Sequence, residues 1–377
     1  MRVAIAGGLS RRPVAAGGLT WAFLQYPLGF RQLGCEVLYV EELDPGDCID
    51  ADWGPAPFEL SANRALFRAE TERYGLDAAL LCGDAHVGRS LREVREWIAA
   101  ADLFVNLSGR FHRHDVMIGA RRRVYVDLDP GFTQIWQASY GADMNLAGHD
   151  AHVTVGLNLG GADCPIPTLG LDWRAILPPV VLSEWMPDPG AGSSYTTVAD
   201  WRGYSPVEWQ GVWYKQKSDE FLRIIELPER VSVPLEICLA IHPLEPDLPR
   251  LRAHGWRLSE PRVCVRDGEA YREYVRRSRG ELSVAKHGYV VGRTGWFSDR
   301  TACYLAAGRP VIVQDTGLAA LPVGEGLLTF GDLDGAARAI TAVEREYEHH
   351  ARAARAFAEQ HLDARRVLSR LLEIGGV

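Results

Sequence analysis

Short apolar runs alternate with segments of helical spacing through the first half of the chain. The runs have the length of buried strands, and the longer segments repeat apolar residues at i, i+3 and i+4. The predicted strands are Arg2–Ala6, Glu36–Val40, Leu103–Leu107, Arg123–Asp127 and Val153–Val155, and the predicted helices are Leu19–Leu33, Arg64–Tyr74 and Ser90–Ala100. Pro27 is expected to kink or split the first helix. This alternation favours a parallel, doubly wound α/β sheet.

The alternation stops at residues 177–180 and 187–194, which are rich in proline, glycine and serine and together form the best linker candidate. The alternation then restarts, with predicted strands Thr196–Ala199, Val263–Arg266, Ser283–Ala285 and Val311–Val313 and predicted helices Asp219–Ile225, Glu269–Arg277, Asp299–Ala307, Leu333–Tyr347 and His349–Leu372. We predict two Rossmann-like domains, residues 1–186 and 195–352, facing each other across a cleft. Residues 353–377 are expected to form a terminal helix that packs back on the first domain. Ligands of such sheets bind beyond the carboxyl ends of the strands.

Composition narrows the range of partners. The 377 residues are 47% hydrophobic and carry a formal net charge of -8 that is spread along the chain, which disfavours nucleic acid as a partner. The chain opens on a strand pattern and not on a signal peptide, and it has no apolar run of membrane-spanning length. Its seven cysteines are widely spaced, as expected of reduced thiols. We therefore expect a cytoplasmic protein with no integral membrane segment.

The segment Glu281–Gly317 carries the strongest chemical signal. A buried strand ends in a loop holding Lys286 and His287, and Ser298 then caps a helix that begins at Asp299. The start of that helix is predicted to be an anion site, because unpaired amides and the helix dipole favour negative charge there. Arg300 adds a forked cation suited to phosphate oxygens.

This segment resembles the donor-binding half of GT-B glycosyltransferases, above all at the strand entry Gly308–Val313 that follows a helix of small residues. The resemblance implies a nucleotide-sugar donor as substrate with no separate cofactor, an acceptor that is a small molecule or a glycan, and a retaining-type family. Many retaining members carry two glutamates that the matching positions here, Gly295 and Cys303, lack. Asp299 or Asp315 could substitute for them.

The same resemblance supplies the remaining donor and acceptor contacts. By position, Lys215 and Lys217 resemble the basic pair that neutralises the donor diphosphate, and the chain has only one other lysine, Lys286. Gly17 and Gly18, before the first helix, resemble the acceptor-side loop. The residues expected to bind the donor are Lys215, Lys217, His287, Ser298, Asp299, Arg300, Asp315, Thr316 and Gly317.

Two loops of the first domain offer candidate catalytic groups. His112 and His114 follow one predicted strand and Asp129 follows another, so each is expected to face the cleft and could deprotonate an acceptor hydroxyl. The two histidines lack enough neighbouring ligands for zinc, so no metal is expected.

Missing motifs exclude several other enzymes. The chain has no GxxxxGK[ST] motif, which excludes a standard P-loop, and it has no GxGxxG after the first strand and no GxSxG elbow, which argues against a simple dehydrogenase and a serine hydrolase. Besides glycosyl transfer, two functions stay open: a sugar-nucleotide epimerase on the same scaffold, and a non-catalytic nucleotide-sugar binding protein.

Overall fold

An eight-stranded sheet forms the centre of the N-terminal half. The computed structural model describes residues 1–188, 190 and 192–377. The strands are β1 (Arg2–Gly7), β2 (Glu36–Glu42), β3 (Asp77–Cys82), β4 (Ala85–Gly88), β5 (Leu103–Leu107), β6 (Arg122–Asp127), β7 (Ala151–Thr154) and β8 (Trp173–Ala175). Their order is β4-β3-β2-β1-β5-β6-β7-β8, and every neighbouring pair is parallel except β3 and β4. The central strand β5 is buried along its whole length, as expected between two layers of helices.

The helices of this half are α1 (Gly17–Gln32), α2 (Ala62–Arg73), α3 (Leu91–Ala99), α4 (His114–Met117) and α5 (Phe132–Ser139). The prediction that Pro27 splits the first helix is wrong, because α1 runs through it. Tyr26, Leu28 and Phe30 around the proline are buried in the core, and this packing keeps the helix continuous despite the missing N–H.

A six-stranded, all-parallel sheet forms the C-terminal half. Its strands are β9 (Tyr195–Asp200), β12 (Leu235–Ala240), β13 (Arg257–Ser259), β14 (Gly280–Ser283), β15 (Val311–Gln314) and β16 (Leu327–Phe330), and a separate hairpin comprises β10 (Val207–Trp209) and β11 (Val212–Tyr214). The order in the large sheet is β13-β12-β9-β14-β15-β16. Strand β9 leads into the sheet at its centre, so its carboxyl end lies between those of β12 and β14.

The helices of this half are α6 (Lys217–Arg223), α7 (Leu227–Arg230), α8 (Asp247–Ala253), α9 (Pro261–Cys264), α10 (Gly268–Arg276), α11 (His287–Val291), α12 (Asp299–Ala306), α13 (Leu333–Arg345), α14 (Tyr347–Phe357) and α15 (Ala364–Gly375). The predicted strand Val263–Arg266 is wrong, since Pro261 starts the short helix α9 there and Glu260 caps it. The predicted single helix His349–Leu372 is two helices, separated by a π-helical turn at Ala358–Leu362.

The end of the chain returns from the second sheet to the first. Val180 donates to Leu362 O at 2.7 Å and accepts from Ala364 N at 2.9 Å, which fixes the crossing point. Beyond it α15 packs on α1, where a Cβ at Gly29 would lie 2.5 Å from a methyl of Leu368. The domain limits at 186, 195 and 352 remain a proposal, and Pro189 and Ala191 of the predicted linker lie outside the described residues.

Candidate functional site

A cavity of about 560 Å³ lies between the two sheets and takes walls from both halves of the chain. Its polar lining includes Arg12, Ser108, Arg110 and Asp129 from the first half and Asp200, Lys217, Lys286, Ser298, Asp299 and Arg300 from the second. Several of these residues follow the carboxyl ends of parallel strands, which is where open α/β sheets bind ligands. The volume suits a small organic ligand.

Lys217 is a cation in the cavity wall that lacks a counter-ion. It is the first residue of α6, and in the described part of the chain its ammonium forms no ion pair and no hydrogen bond. Burial, followed by the charges of Arg300 and Lys286, lowers its pKa to about 7. An anion bound beside it would relieve both effects.

Lys215 does not join Lys217 in the cavity. Its ammonium lies 3.8 Å from a carboxylate oxygen of Asp219 in α6, and its side chain is 44% exposed. The expected basic pair is therefore a single lysine, Lys217. The third lysine, Lys286, lies in the cavity but is already paired, as described below.

The start of α12 lines the cavity but its amides are not all free. Ser298 Oγ accepts from Arg300 N at 3.2 Å, as the sequence predicted for an N-cap. The carboxylate of Asp299 lies over the same turn: burial raises its pKa, while Arg300 and the amides of the turn oppose that rise. An acidic group thus already faces the positive end of this helix.

The prediction that Arg300 presents its guanidinium to a phosphate needs correction. Its Nε donates to Glu281 at 2.5 Å and its terminal nitrogens donate to Ser283 Oγ at 2.9 Å and Val198 O at 3.0 Å. Glu281 is fully buried, so the arginine serves first as its partner. Arg300 still lines the cavity, and its positive charge lowers the pKa of Lys217.

Asp129 and Lys286 join the two domains at the edge of the cavity. Lys286 Nζ lies 3.0 Å from both carboxylate oxygens of Asp129, and the hydroxyls of Tyr204 and Tyr289 also donate to that carboxylate. The ammonium packs over three aromatic rings: Lys286 Nζ lies 4.4 Å from the ring centre of Tyr204, 5.0 Å from that of Phe132 and 5.1 Å from that of Tyr289. Asp129 therefore faces the cleft as expected, but both of its oxygens are occupied.

His112 and His114 lie outside the cavity, contrary to the expectation that they face the cleft. Both are exposed, and the backbone N–H of His112 donates to Glu42 at 2.8 Å. The loop turns Ser108 and Arg110 inward in their place. Of the candidate catalytic residues, the structure brings only Asp129 into the cavity.

His287 lies beside the cavity and not in its wall. Its Nδ1 accepts from Lys215 N at 3.4 Å, and burial lowers its pKa. This imidazole holds the segment before α6 against the start of α11, so it positions the chain near Lys217.

Residues Asp315, Thr316 and Gly317 form a turn behind the cavity. Asp315 Oδ1 accepts from Gly317 N at 2.8 Å, and Thr316 Oγ1 donates to Trp296 O at 2.8 Å. Asn158 of the first domain donates to Gly317 O at 2.8 Å. The turn links the two domains and does not line the cavity.

Gly17 and Gly18 bring the first helix against the second domain. Gly17 N donates to Val265 O at 2.9 Å, and a Cβ at Gly17 would lie 2.3 Å from Asp267 O. Gly18 lines the cavity beside Tyr271. Glycine is required here because two backbones approach closely.

The positions that match the family glutamates are closed to a carboxylate. Gly295 has φ +66°, and a Cβ there would lie 2.9 Å from Leu157 Cβ and 3.0 Å from Asn158 N. Cys303 is buried in the core, with its sulfur 3.8 Å from Gln25 Nε2. Asp299 is instead the carboxylate that this part of the chain supplies to the cavity.

Sequence reasoning did not single out the aromatic residues Tyr204 and Tyr289, nor Arg110. The position of two of them in the chain could have indicated the site, because Arg110 follows the carboxyl end of β5 and Tyr204 follows that of β9.

Within the described ranges, no three His, Cys, Asp or Glu side chains cluster as a metal site would require, and no helix is long and apolar enough to cross a bilayer.

No family model and no curated protein matches the sequence. Solved structures do match over the whole chain. The chain has a GT-B-like fold. HepE from Anabaena, with UDP and glucose bound, superposes with a TM-score of 0.60 at 11% identity and covers 99% of this chain and 98% of its own.

Two further structures with this GT-B-like fold extend the comparison. An alpha-glucosyltransferase in complex with UDP gives a TM-score of 0.61 at 10% identity, with 100% of both chains covered. AviGT4, a glycosyltransferase involved in avilamycin A biosynthesis, gives a TM-score of 0.57 at 15% identity and covers 100% of this chain and 97% of its own.

Proposed function

We propose that the protein is a glycosyltransferase that moves a sugar from a nucleotide-sugar donor to a hydroxyl of a small-molecule or glycan acceptor. The observation that carries this proposal is Lys217, a partly buried ammonium without a counter-ion in a cavity between two Rossmann-like domains. UDP-glucose is the first donor to test, because UDP or glucose is bound in similarly folded structures.

The proposed role of Lys217 is to stabilise the leaving nucleoside diphosphate. Negative charge grows on the diphosphate as the bond to the sugar breaks, and a fixed cation lowers the energy of that state more than the energy of the bound donor. Arg300 adds positive potential from behind, while its own hydrogen bonds go to Glu281 and Ser283. Asp299 is placed to accept hydrogen bonds from sugar hydroxyls.

We further propose that transfer retains the anomeric configuration. Direct inversion needs a base for the acceptor hydroxyl. Asp129 is the carboxylate that the first domain gives to the cavity wall, and Lys286 and two tyrosines occupy its oxygens. A proton-accepting diphosphate oxygen of the donor would replace that base, and the anomeric NMR signal of the product tests this point.

The decisive experiment measures release of nucleoside diphosphate from a panel of nucleotide sugars, with and without a broad acceptor panel. We expect acceptor-dependent release, and Lys217→Met should reduce kcat by about 10²- to 10³-fold, as for loss of one transition-state donor. Lys215→Met is the matched control, because that lysine lies outside the cavity.

Three results would contradict the proposal. Conversion of the donor sugar without an acceptor would indicate an epimerase. Donor binding without turnover on any acceptor would indicate a binding protein. Equal activity of the Lys217→Met and wild-type proteins would remove the assigned role of Lys217.

A further inference from the structure

One arginine in the wall of the first domain has no partner of its own. Arg110 follows β5 and lines the cavity, and its Nε is buried without a hydrogen-bond partner. Across the described residues its guanidinium forms no ion pair, whereas the other arginines in the cavity wall do: Arg12 with Asp200 at 2.7 Å and Arg300 with Glu281 at 2.5 Å. Shielding a guanidinium from water costs free energy when it has no hydrogen-bond acceptors, unless a bound ligand supplies them.

The two carboxylates whose charges act on Arg110, Glu41 and Asp129, already accept hydrogen bonds from other groups. Glu41 accepts from Ser10 N and Ser10 Oγ, both at 2.8 Å. Asp129 accepts from Lys286 at 3.0 Å and from two tyrosines. Neither is free to pair with Arg110, so the missing acceptor must come from outside the protein.

The loop that carries this arginine is held rigidly. Asn106 Oδ1 accepts from Phe111 N at 3.1 Å, and Asn145 Nδ2 donates to Gly109 O at 3.0 Å, with both asparagines buried. Ser108 adopts φ +54° and Gly109 φ +64°, conformations that cost energy for residues other than glycine. The loop is therefore strained at Ser108, and it holds the guanidinium of Arg110 in a fixed direction.

Building on the proposed function, we propose that the acceptor carries an anionic group, a carboxylate or a phosphate, which the guanidinium of Arg110 binds. Arg110 lies on the wall of the first domain, opposite the wall that offers Lys217 to the donor diphosphate. A planar guanidinium binds either oxyanion through two parallel hydrogen bonds. The bound anion places the acceptor hydroxyl in the cleft between the two walls.

Burial, followed by the charge of Arg11, lowers the pKa of Arg110, and this supports the same account. A bound oxyanion would offset both effects. Removing the arginine should therefore leave folding intact: Arg110→Gln is expected to keep or raise the melting temperature, because an unpaired buried charge is lost.

The test uses the protein saturated with UDP, so that the donor subsite is filled. Calorimetry then compares glycerol 3-phosphate, glycerate and glycerol, which share hydroxyls and differ in the anionic group. We expect at least one anionic probe to bind and glycerol to fail, and Arg110→Gln should weaken that binding about 10- to 100-fold. Arg110→Lys should restore part of the affinity.

Arg113→Gln is the matched control, because Arg113 is on the same loop but pairs with Glu42 at 2.9 Å and does not line the cavity. Anion binding that survives Arg110→Gln, or absence of anion binding to the UDP-saturated wild type, would overturn the inference. Loss of UDP affinity in Arg110→Gln would also overturn it, since Arg110 would then serve the donor. Failure of wild-type protein to bind UDP at all would instead contradict the proposed function.

Discussion

At the residue scale, Lys217 links the energetics of folding to those of binding. Its pKa is about 7 in the folded protein against an ordinary value of 10.5, so from about pH 7 to 10.5 the unfolded chain holds a proton that the folded chain lacks. Stability should therefore rise with pH across that window. Thermal melts of Lys217→Met should lack this rise, whereas those of Lys215→Met should keep it. An identical pH profile in wild type and Lys217→Met would contradict the burial assigned to this ammonium.

The titration of Lys217 also predicts how the affinity of the protein for a diphosphate changes with pH. The cationic form of Lys217 is lost as pH rises through about 7, so the dissociation constant for UDP should increase above that pH. Calorimetry in buffers of different ionisation enthalpy should also detect proton uptake on binding near pH 8. Pure proton release on binding would contradict this assignment.

Residue types and spacing predicted some of these features and not others. Lys217 was expected at the donor site from the resemblance to GT-B glycosyltransferases, and its role there stays a prediction. The N-cap at Ser298 could be predicted because this serine directly precedes a helical pattern. The partner of Arg300 could not, since Glu281 lies nineteen positions earlier on a buried strand and meets the arginine only after the sheet forms. The inward turn of Arg110 depends in the same way on Asn145.

At the scale of elements, the loop before α12 is fixed by backbone pairing between the domains. Leu157 N donates to Gly295 O at 3.2 Å, and Asn158 N donates to Thr294 O at 3.1 Å. Gly295→Ala adds a Cβ 2.9 Å from Leu157 at φ +66°, and should cost about 1–3 kcal/mol of unfolding free energy. Chemical denaturation measures this. Gly331→Ala, with open space and ordinary φ, is the control, and equal stability of the two variants would contradict the packing.

Strongly patterned elements were predictable from sequence, and some short elements with ambiguous patterns were not. The apolar strands β1, β5 and β15 lie where their runs of valine, leucine and isoleucine indicated. Strand β3 was missed because its sequence, DAALLC, suits a helix as well as a strand locally. Helix α9 was mistaken for a strand because Val263 and Val265 suit a strand, and this preference was given more weight than the helix-start signal of Pro261.

At the scale of the whole molecule, Asp129 holds the two domains together beside the cavity. Asp129→Asn removes the charge that pairs with Lys286 and should cost about 2 kcal/mol, since both side chains keep some solvent contact. The ligand-free variant should show a larger radius of gyration by X-ray scattering than wild type. Asp77→Asn, which breaks an ion pair within the first domain, is the control. An unchanged radius in Asp129→Asn would show that other contacts set the closure.

The overall architecture could be predicted from the sequence more fully than any other feature of the molecule. Alternating strands and helices on either side of residues 187–194 predicted two Rossmann-like domains facing a cleft, and the structure has that arrangement. The contacts that cross the cleft were not predictable, because they join loops that are far apart in the chain. Lys286 and Asp129, for example, are 157 positions apart in the chain.

The proposed function requires that the cavity between the domains binds a nucleoside diphosphate at Lys217. A crystal of the protein soaked with UDP is the decisive measurement. We expect phosphate density within hydrogen-bond distance of Lys217 Nζ, between that lysine and the start of α12. Phosphates bound elsewhere, or a cavity that stays empty while UDP binds another surface, would contradict it.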